Sequence, residues 1–118
     1  MKYSTLLLGL LKVSSSSKEP YGKYCGNIIN NDIYISFYHG SSNISANVFN
    51  KKYECDNEEY VYDSSNCHIC MSDDPDDCFN LILEKYNLCP CPPEMVYDES
   101  KDSILISSDI GEITMERC

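Results

Sequence analysis

The sequence has little positive charge and few of the residues that dominate large cores and many active sites. Its 118 residues include no tryptophan, three phenylalanines, two histidines, and nine lysines or arginines against 19 acidic residues. The net charge of −10 has the wrong sign for neutralising phosphates, which argues against nucleic-acid binding. No apolar run approaches the roughly 18 residues of a membrane-spanning helix, so we expect no membrane insertion. Neither a glycine-rich phosphate loop nor a nucleophile motif occurs, and the sequence therefore predicts a protein that is not an enzyme.

Cysteine and tyrosine, in contrast, are abundant, with eight and ten copies in a chain whose length favours a single domain. This composition favours covalent crosslinks over a large aliphatic core. It predicts a small disulfide-rich fold, mainly β with one short helix. An even set of cysteines predicts four disulfides, in an order that the sequence leaves open. The cysteines expected to pair are Cys25, Cys55, Cys67, Cys70, Cys78, Cys89, Cys91 and Cys118.

Residues 1–17 are typical of a secretory signal peptide. Lys2 precedes an apolar stretch over residues 6–11, and four serines close the segment. Its removal would leave residues 18–118 as one disulfide-stabilised domain with seven basic and 19 acidic residues, a net charge of −12. We therefore expect a secreted, extracellular protein. An ordered N-terminal strand or helix is the alternative, because Lys12 interrupts the apolar run.

Alternation of apolar and polar residues predicts two of the strands. It extends over residues 32–38 and 43–50, which we expect to form an antiparallel hairpin with a four-residue loop. The non-periodic segment 18–23 is expected to be an exposed arm that contributes little to the core. Further short strands are expected at 59–62, 95–97, 103–107 and 112–117.

One helix is expected over residues 75–86. Asp74 provides a capping side chain before Pro75, a residue well suited to the first helical position. The apolar side chains that recur with helical spacing are Phe79, Ile82, Leu83 and Tyr86. A strand over residues 79–83 is the alternative, because a disulfide at Cys78 can override a helical preference.

Two closely spaced cysteine pairs admit an interpretation other than disulfides. Cys67 with Cys70, and Cys89 with Cys91, could act as paired ligands of a zinc ion in an intracellular module. The predicted leader and the four further cysteines favour disulfides. A redox role for the CxxC pair is not expected, because no βαβ pattern surrounds it. Cys118, the last residue, is expected to pin the final strand to an earlier segment.

The central cysteines also carry a resemblance. The Cys67-x-x-Cys70 pair, the later Cys78 and the Cys89-x-Cys91-Pro pair, in a chain with eight cysteines, resemble single-domain von Willebrand factor type C proteins, which are common among the secreted salivary proteins of arthropods. The resemblance covers residues 55–93. It implies an extracellular binding module without catalytic residues, of the kind that antagonises host complement, proteases or chemokines.

The densest chemical feature is a run of carboxylates around two tyrosines. The residues predicted to bind a partner are Glu58, Glu59, Tyr60, Tyr62 and Asp63. This context suits tyrosine sulfation, and fixed negative charge beside aromatic rings would engage a basic protein. We therefore expect a monomer that captures a basic extracellular protein, a chemokine or complement component. The alternative is a solvated loop or edge strand whose charges prevent aggregation.

Two other segments predict sites. Pro92, Pro93, Glu94 and Met95 could form a stiff inhibitory loop that enters the active site of a serine protease, with the last two exposed. Asn43 begins an N-glycosylation sequon. The acidic run 73–77 lacks the ligand spacing of a calcium-binding loop and suits a helix start instead. No cofactor and no bound metal are expected.

Overall fold

The computed structural model describes residues 18–28, 30–88, 90–109 and 111–118. The predicted signal peptide (residues 1–17) and Cys89 lie outside the described residues, as do Ile29 and Ile110.

Eight antiparallel strands form a closed barrel in which neighbours in sequence pair with one another and β8 pairs back onto β1. The strands are β1 (Gly22–Ile28), β2 (Asn31–Phe37), β3 (Ser41–Val48), β4 (Lys51–Asp63), β5 (His68–Met71), β6 (Glu94–Asp98), β7 (Ser103–Ser108) and β8 (Gly111–Arg117). One helix of the described chain, α1 (Cys78–Lys85), lies between β5 and β6. The predicted class, a small mainly β fold with one short helix, is confirmed.

The connections between strands gather at two ends of the barrel because the strands run alternately up and down. The upper end carries the connections after β1, β3, β5 and β7, and therefore also α1. The lower end carries the connections after β2, β4 and β6, together with the segment that precedes β1.

The predicted hairpin is confirmed as β2 and β3, with Ile35 opposite Ile44. Both of these side chains and Phe37 are buried, as alternation requires. The loop is shorter than predicted, because pairing continues to Phe37 opposite Ser42. A backbone hydrogen bond of 2.8 Å from Tyr38 N to Ser41 O closes the turn. The three predicted C-terminal strands are confirmed as β6, β7 and β8.

A bulge in β4 changes which of its residues face the interior. Ile44 pairs with Cys55, but Ser42 pairs with Glu58, so β4 holds one extra residue between the two pairs. Asn57, within the bulge, takes φ +58°, and its N–H donates to Asn43 Oδ1 at 3.0 Å. Inward-facing positions are therefore odd-numbered before the bulge and even-numbered after it.

The prediction of an exposed arm over residues 18–23 holds for Lys18, Tyr21 and Lys23 but is wrong for the rest of the segment. Pro20 is fully buried, and Gly22 begins β1, which continues through the fully buried Tyr24. Gly22 has φ +92°, and a Cβ atom there would lie 2.4 Å from the Arg117 guanidinium. Glycine at this position therefore allows Arg117 to lie over the Tyr24 ring, 4.6 Å from its centre.

Aromatic side chains fill the lower half of the barrel. Tyr24 and Phe37 pack edge to face with 5.9 Å between ring centres, and Phe37 packs in the same way on Tyr60 at 5.3 Å. Tyr97 packs on Tyr24 and on Tyr62 at 6.5 and 6.2 Å. These five rings, which we call the aromatic cluster, come from four different strands, and the buried Ile69, Ile104 and Met115 lie at the same level.

Asp102 closes the lower end, in the connection between β6 and β7. Its Oδ1 accepts hydrogen bonds from the hydroxyls of Tyr24 and Tyr97, both at 2.7 Å, and its Oδ2 accepts one from Arg117 Nε at 2.6 Å. Burial raises the pKa of Asp102, but the three hydrogen bonds outweigh burial and lower the pKa to about 2. One carboxylate thus ties together β1, β6 and β8.

Two disulfides join distant parts of the described chain, Cys25 to Cys118 and Cys55 to Cys78. The first joins β1 to the residue after β8, so the expectation that Cys118 pins the final strand is confirmed. The second joins β4 to the first residue of α1. Cys91 is also disulfide-bonded.

The prediction that Cys67 and Cys70 form disulfides is wrong, because both are free thiols. Cys70 lies in β5 between the buried Ile69 and Met71 and therefore points outward. Cys67 lies in the turn before β5, where it takes φ +61°, and is half-buried. Cys91, which belongs to the other predicted ligand pair, is disulfide-bonded, and this counts against a zinc site built from the two pairs.

Helix α1 confirms the predicted helix, but it starts later than expected. Asp74 Oδ1 accepts a hydrogen bond of 2.9 Å from Asp76 N, so this carboxylate stabilises the turn before the helix and not the helix itself. Asp77 occupies the cap position and makes no side-chain cap bond. Phe79 and Leu83 of the predicted stripe are buried.

Candidate functional site

Helix α1 lies against the inner face of the upper part of β4. Three interactions hold it there, one at its start, one in its first turn and one at its end. They are the Cys55–Cys78 disulfide, a 3.3 Å hydrogen bond from Phe79 N to Glu58 Oε1, and a hydrogen bond between the hydroxyls of Tyr53 and Tyr86. The helix therefore occupies one side of the upper barrel and leaves space on the other side.

That space is a cavity of about 290 Å³ between α1 and strands β2, β3, β7 and β8. Among the residues that line it are Ile33, Ala46, Val48, Leu83, Ile106 and Ile113. Cavities with aliphatic and aromatic walls suit apolar molecules, because water in such a space finds too few hydrogen-bond partners.

The polar residues that line the cavity lie at its upper rim, where β2 begins and β7 ends. Asn31 Oδ1 accepts a hydrogen bond from Phe49 N at 3.0 Å, and Ser108 Oγ donates to Gly111 O at 3.0 Å. Asp32 Oδ1 accepts one from Asn27 Nδ2 of β1 at 2.8 Å. These polar groups are thus occupied with the rim itself, and the walls below them are apolar.

Phe49 forms part of the rim at the tip of the connection between β3 and β4. Its side chain is 69% exposed, and its ring centre lies 5.7 Å from that of Tyr86. Phe49 and Asn50 take φ of +50° and +67°, the pair of left-handed residues that makes a tight hairpin turn. Bulky residues seldom adopt this conformation, and here it places an aromatic ring at the cavity opening.

Two lysines approach the same side of the rim. Lys85 Nζ donates to the Tyr53 hydroxyl at 3.2 Å and lies 5.5 and 5.7 Å from the ring centres of Tyr53 and Tyr86. The hydrogen bond with Tyr86 is the largest cause that lowers the pKa of Tyr53. The hydrogen bond and charge of Lys85 and the charge of Lys51 lower this pKa further, whereas burial raises it. Lys51 pairs in the hairpin with Val48, which lines the cavity.

The predicted partner-binding residues do not share one surface. Tyr60 is 5% exposed and donates a hydrogen bond to the carbonyl of Tyr38, so it is unavailable to a partner or to sulfation. Tyr62 is half-buried on Tyr97. The bulge is the physical reason for this burial, because after it the even-numbered residues of β4, Tyr60 and Tyr62 among them, face the interior of the barrel.

The predicted carboxylates are likewise divided by the barrel wall. Glu58 turns inward to the first turn of α1, whereas Glu59 and Asp63 are exposed. Asp63 accepts hydrogen bonds from Ser65 Oγ at 2.6 Å and Ser65 N at 3.1 Å, which lower its pKa. Asp63 therefore stabilises the turn after β4.

The predicted inhibitory loop does not project from the surface. Pro92 is half-buried, Pro93 is buried in the cavity wall, and Met95 is fully buried in β6, so the expectation that Met95 is exposed is wrong. Glu94 is exposed, but His68 Nε2 lies 3.0 Å from Glu94 Oε2 across the junction of β5 and β6. That hydrogen bond raises the pKa of His68, and a backbone bond to Asn66 adds to it.

Asn43, the predicted glycosylation site, lies on the outward face of β3 and is half-buried. In the described part of the chain, no three histidine, cysteine, aspartate or glutamate side chains come close enough to hold a metal ion. Within the same residues, no helix is long and apolar enough to cross a membrane.

Comparisons with known proteins found no matching protein family, no matching curated protein and no matching solved structure. The resemblance to von Willebrand factor type C proteins stays a prediction. The cavity and its rim are therefore the features of this chain that point to a function.

Proposed function

We propose that the protein acts by binding one small apolar molecule in the upper barrel cavity. The observation that carries this proposal is an apolar space of about 290 Å³ directly above a barrel half that is filled by the aromatic cluster. Closed barrels of eight strands have room either for packed side chains or for one small ligand. In this barrel, packed side chains fill the lower half, and the upper half has space for a small ligand.

The cavity volume sets the size of the molecule. An engineered apolar cavity of about 150 Å³ takes the six carbons of benzene, so a cavity of about 290 Å³ has room for roughly twelve carbon atoms. A flexible chain of about ten carbons, or a molecule with two fused rings, meets this limit.

Titration with a series of straight-chain alcohols, followed by calorimetry, tests the proposal. Each added methylene that enters the cavity contributes about 0.8 kcal/mol, an increase in affinity of about fourfold. We expect one molecule bound per chain, with affinity rising from hexanol to decanol and levelling off beyond dodecanol. A rise that continues through tetradecanol, or no binding along the series, would contradict the proposal.

Capture of a basic extracellular protein is a second candidate function. Four exposed carboxylates on β4 support it, and they are Glu54, Asp56, Glu59 and Asp63. Export through residues 1–17 and a glycan on Asn43 belong to the same proposal. The interacting surface would be the outer wall of β4 and would not include Tyr60.

The salt dependence of association tests this second candidate. The on-rate for a basic chemokine or complement component should fall as ionic strength rises, because steering by surface charge is screened. Glu59→Gln should slow association, whereas Glu112→Gln, which makes the same change of charge at the start of β8, serves as the control. An on-rate unchanged by salt would count against it.

A further inference from the structure

Two lysines at the cavity rim lack the acidic partners that this chain could supply in excess. Acidic residues outnumber basic ones by 19 to nine, yet neither Lys51 nor Lys85 forms an ion pair with a carboxylate of the described chain. The neighbouring Lys52, in contrast, lies 3.3 Å from Glu54 Oε2 on the outer face of β4. Lys18, Lys23 and Lys101 also form no ion pair among the described residues, so Lys51 and Lys85 differ from them by position, at the start of β4 and the end of α1 beside the cavity wall.

The hydrogen bonds of this pair lead to the cavity wall. Lys85 donates to the hydroxyl of Tyr53, which is hydrogen-bonded to the hydroxyl of Tyr86, and Tyr86 lines the cavity. Lys51 stands across the hairpin from Val48, another wall residue. A ligand whose chain fills the cavity would thus present its end group to two ammonium groups and a phenol.

The charged residue among those that line the cavity is Asp32, on the opposite side of the rim, and its Oδ1 accepts a hydrogen bond from Asn27 Nδ2 of β1 at 2.8 Å. A cationic end group beside Asp32 is therefore the competing arrangement, and a comparison of anionic with cationic ligands decides between the two. Charges on the outer wall are screened over about 8 Å at physiological salt.

We propose that the bound molecule is a carboxylic acid of about ten carbons, with its chain in the cavity and its carboxylate at the rim beside Lys51, Lys85 and Tyr86. This inference rests on the proposed function and adds the chemical class of the ligand. A carboxylate about 5 Å from each ammonium in water-like surroundings gains about fourfold in affinity from each lysine.

Calorimetric titration with decanoate, decanol and decylammonium tests the end group at constant chain length. We expect decanoate to bind about tenfold more tightly than decanol, and decylammonium to bind more weakly than decanol. The variants Lys51→Gln and Lys85→Gln should each weaken decanoate binding by about three- to tenfold and leave decanol binding unchanged. Lys52→Gln is the matched control, because it removes the same charge from the outer face and should leave decanoate binding unchanged.

The outcomes distinguish a wrong assignment of the ligand's end group from a wrong assignment of the cavity as a ligand site. If decanol binds but decanoate is no tighter, if decylammonium is the tightest, or if the rim variants bind decanoate normally, the carboxylic acid assignment is wrong and the cavity remains a ligand site. If none of the three compounds binds, the proposed function fails and the assignment fails with it. Decanol binding by each variant also reports that its barrel is folded.

Discussion

Filling the cavity from its wall should stabilise the barrel and weaken its binding of apolar molecules. Ala46 faces the cavity from β3 and is 7% exposed, so Ala46→Phe would place a phenyl ring in the space. The ring needs about 150 Å³, roughly half of the cavity, and filling that volume contributes at most about 3.6 kcal/mol at 24 cal/mol per Å³. Imperfect fit costs about 1–3 kcal/mol. The expected net gain is about 1 kcal/mol, which raises Tm by about 4 °C for a domain of this size.

Calorimetry on the same sample measures both effects, the unfolding transition and the titration with decanol. Decanol affinity should fall at least about tenfold, because half of the space for about twelve carbons is gone. Asn47→Phe is the control, since Asn47 is exposed on the outward face of the same strand, and it should leave decanol binding intact. The reasoning is refuted if Ala46→Phe binds decanol normally, or if it unfolds with a loss of more than about 2 kcal/mol, which would mean that the site is already packed.

Three further predictions concern the barrel outside the cavity. The pKa of Asp102 in the folded protein, about 2, lies below its ordinary value of 3.8, so the ionised carboxylate stabilises the fold above about pH 4 and this stabilisation is lost as pH falls toward 2. In urea unfolding, Asp102→Asn should therefore lower the free energy of unfolding by about 1–2 kcal/mol at pH 7 and by much less at pH 2. Native protein should react with a thiol reagent at Cys70 first and at the half-buried Cys67 more slowly, and a protein inert at both would contradict the assignment of free thiols. The pKa of His68, followed by NMR, should lie above its ordinary value of 6.5 and fall in Glu94→Gln, because the carboxylate that stabilises the charged ring is gone; no change in that variant would rule out the ion pair.

The predictable part of this fold is the part with a strong local pattern. Strict alternation identified β2 and β3, and helical spacing from Phe79 to Leu83 identified α1, because each pattern reflects burial of one face. Alternation does not identify β1, because the buried Tyr24 is followed by an outward Cys25 and then by Gly26, which has no side chain to mark the next interior position. Closure of the barrel could not be predicted from the sequence either, because it requires β1 to pair with β8, and these two strands lie far apart along the chain.

The candidate site was harder to predict than the fold because it depends on a change of register. The alternation of Tyr60 and Tyr62 with charged residues is visible in the sequence, but the bulge at Asn57, which decides that both tyrosines face inward, has no strong local signal. The stripe on α1 was expected to be buried against the core, and its role as a cavity wall becomes apparent only when the facing strands are placed. The convergence of Lys51 and Lys85, 34 positions apart in the sequence, has no local signal either.

A crystal structure under xenon pressure tests the central claim most directly, because xenon enters dry apolar cavities and not packed cores or water-filled clefts. The cavity account predicts an anomalous xenon peak between Ala46 of β3 and Leu83 of α1, in a space of about 290 Å³. Side chains filling this space, or ordered water in place of xenon, would contradict it.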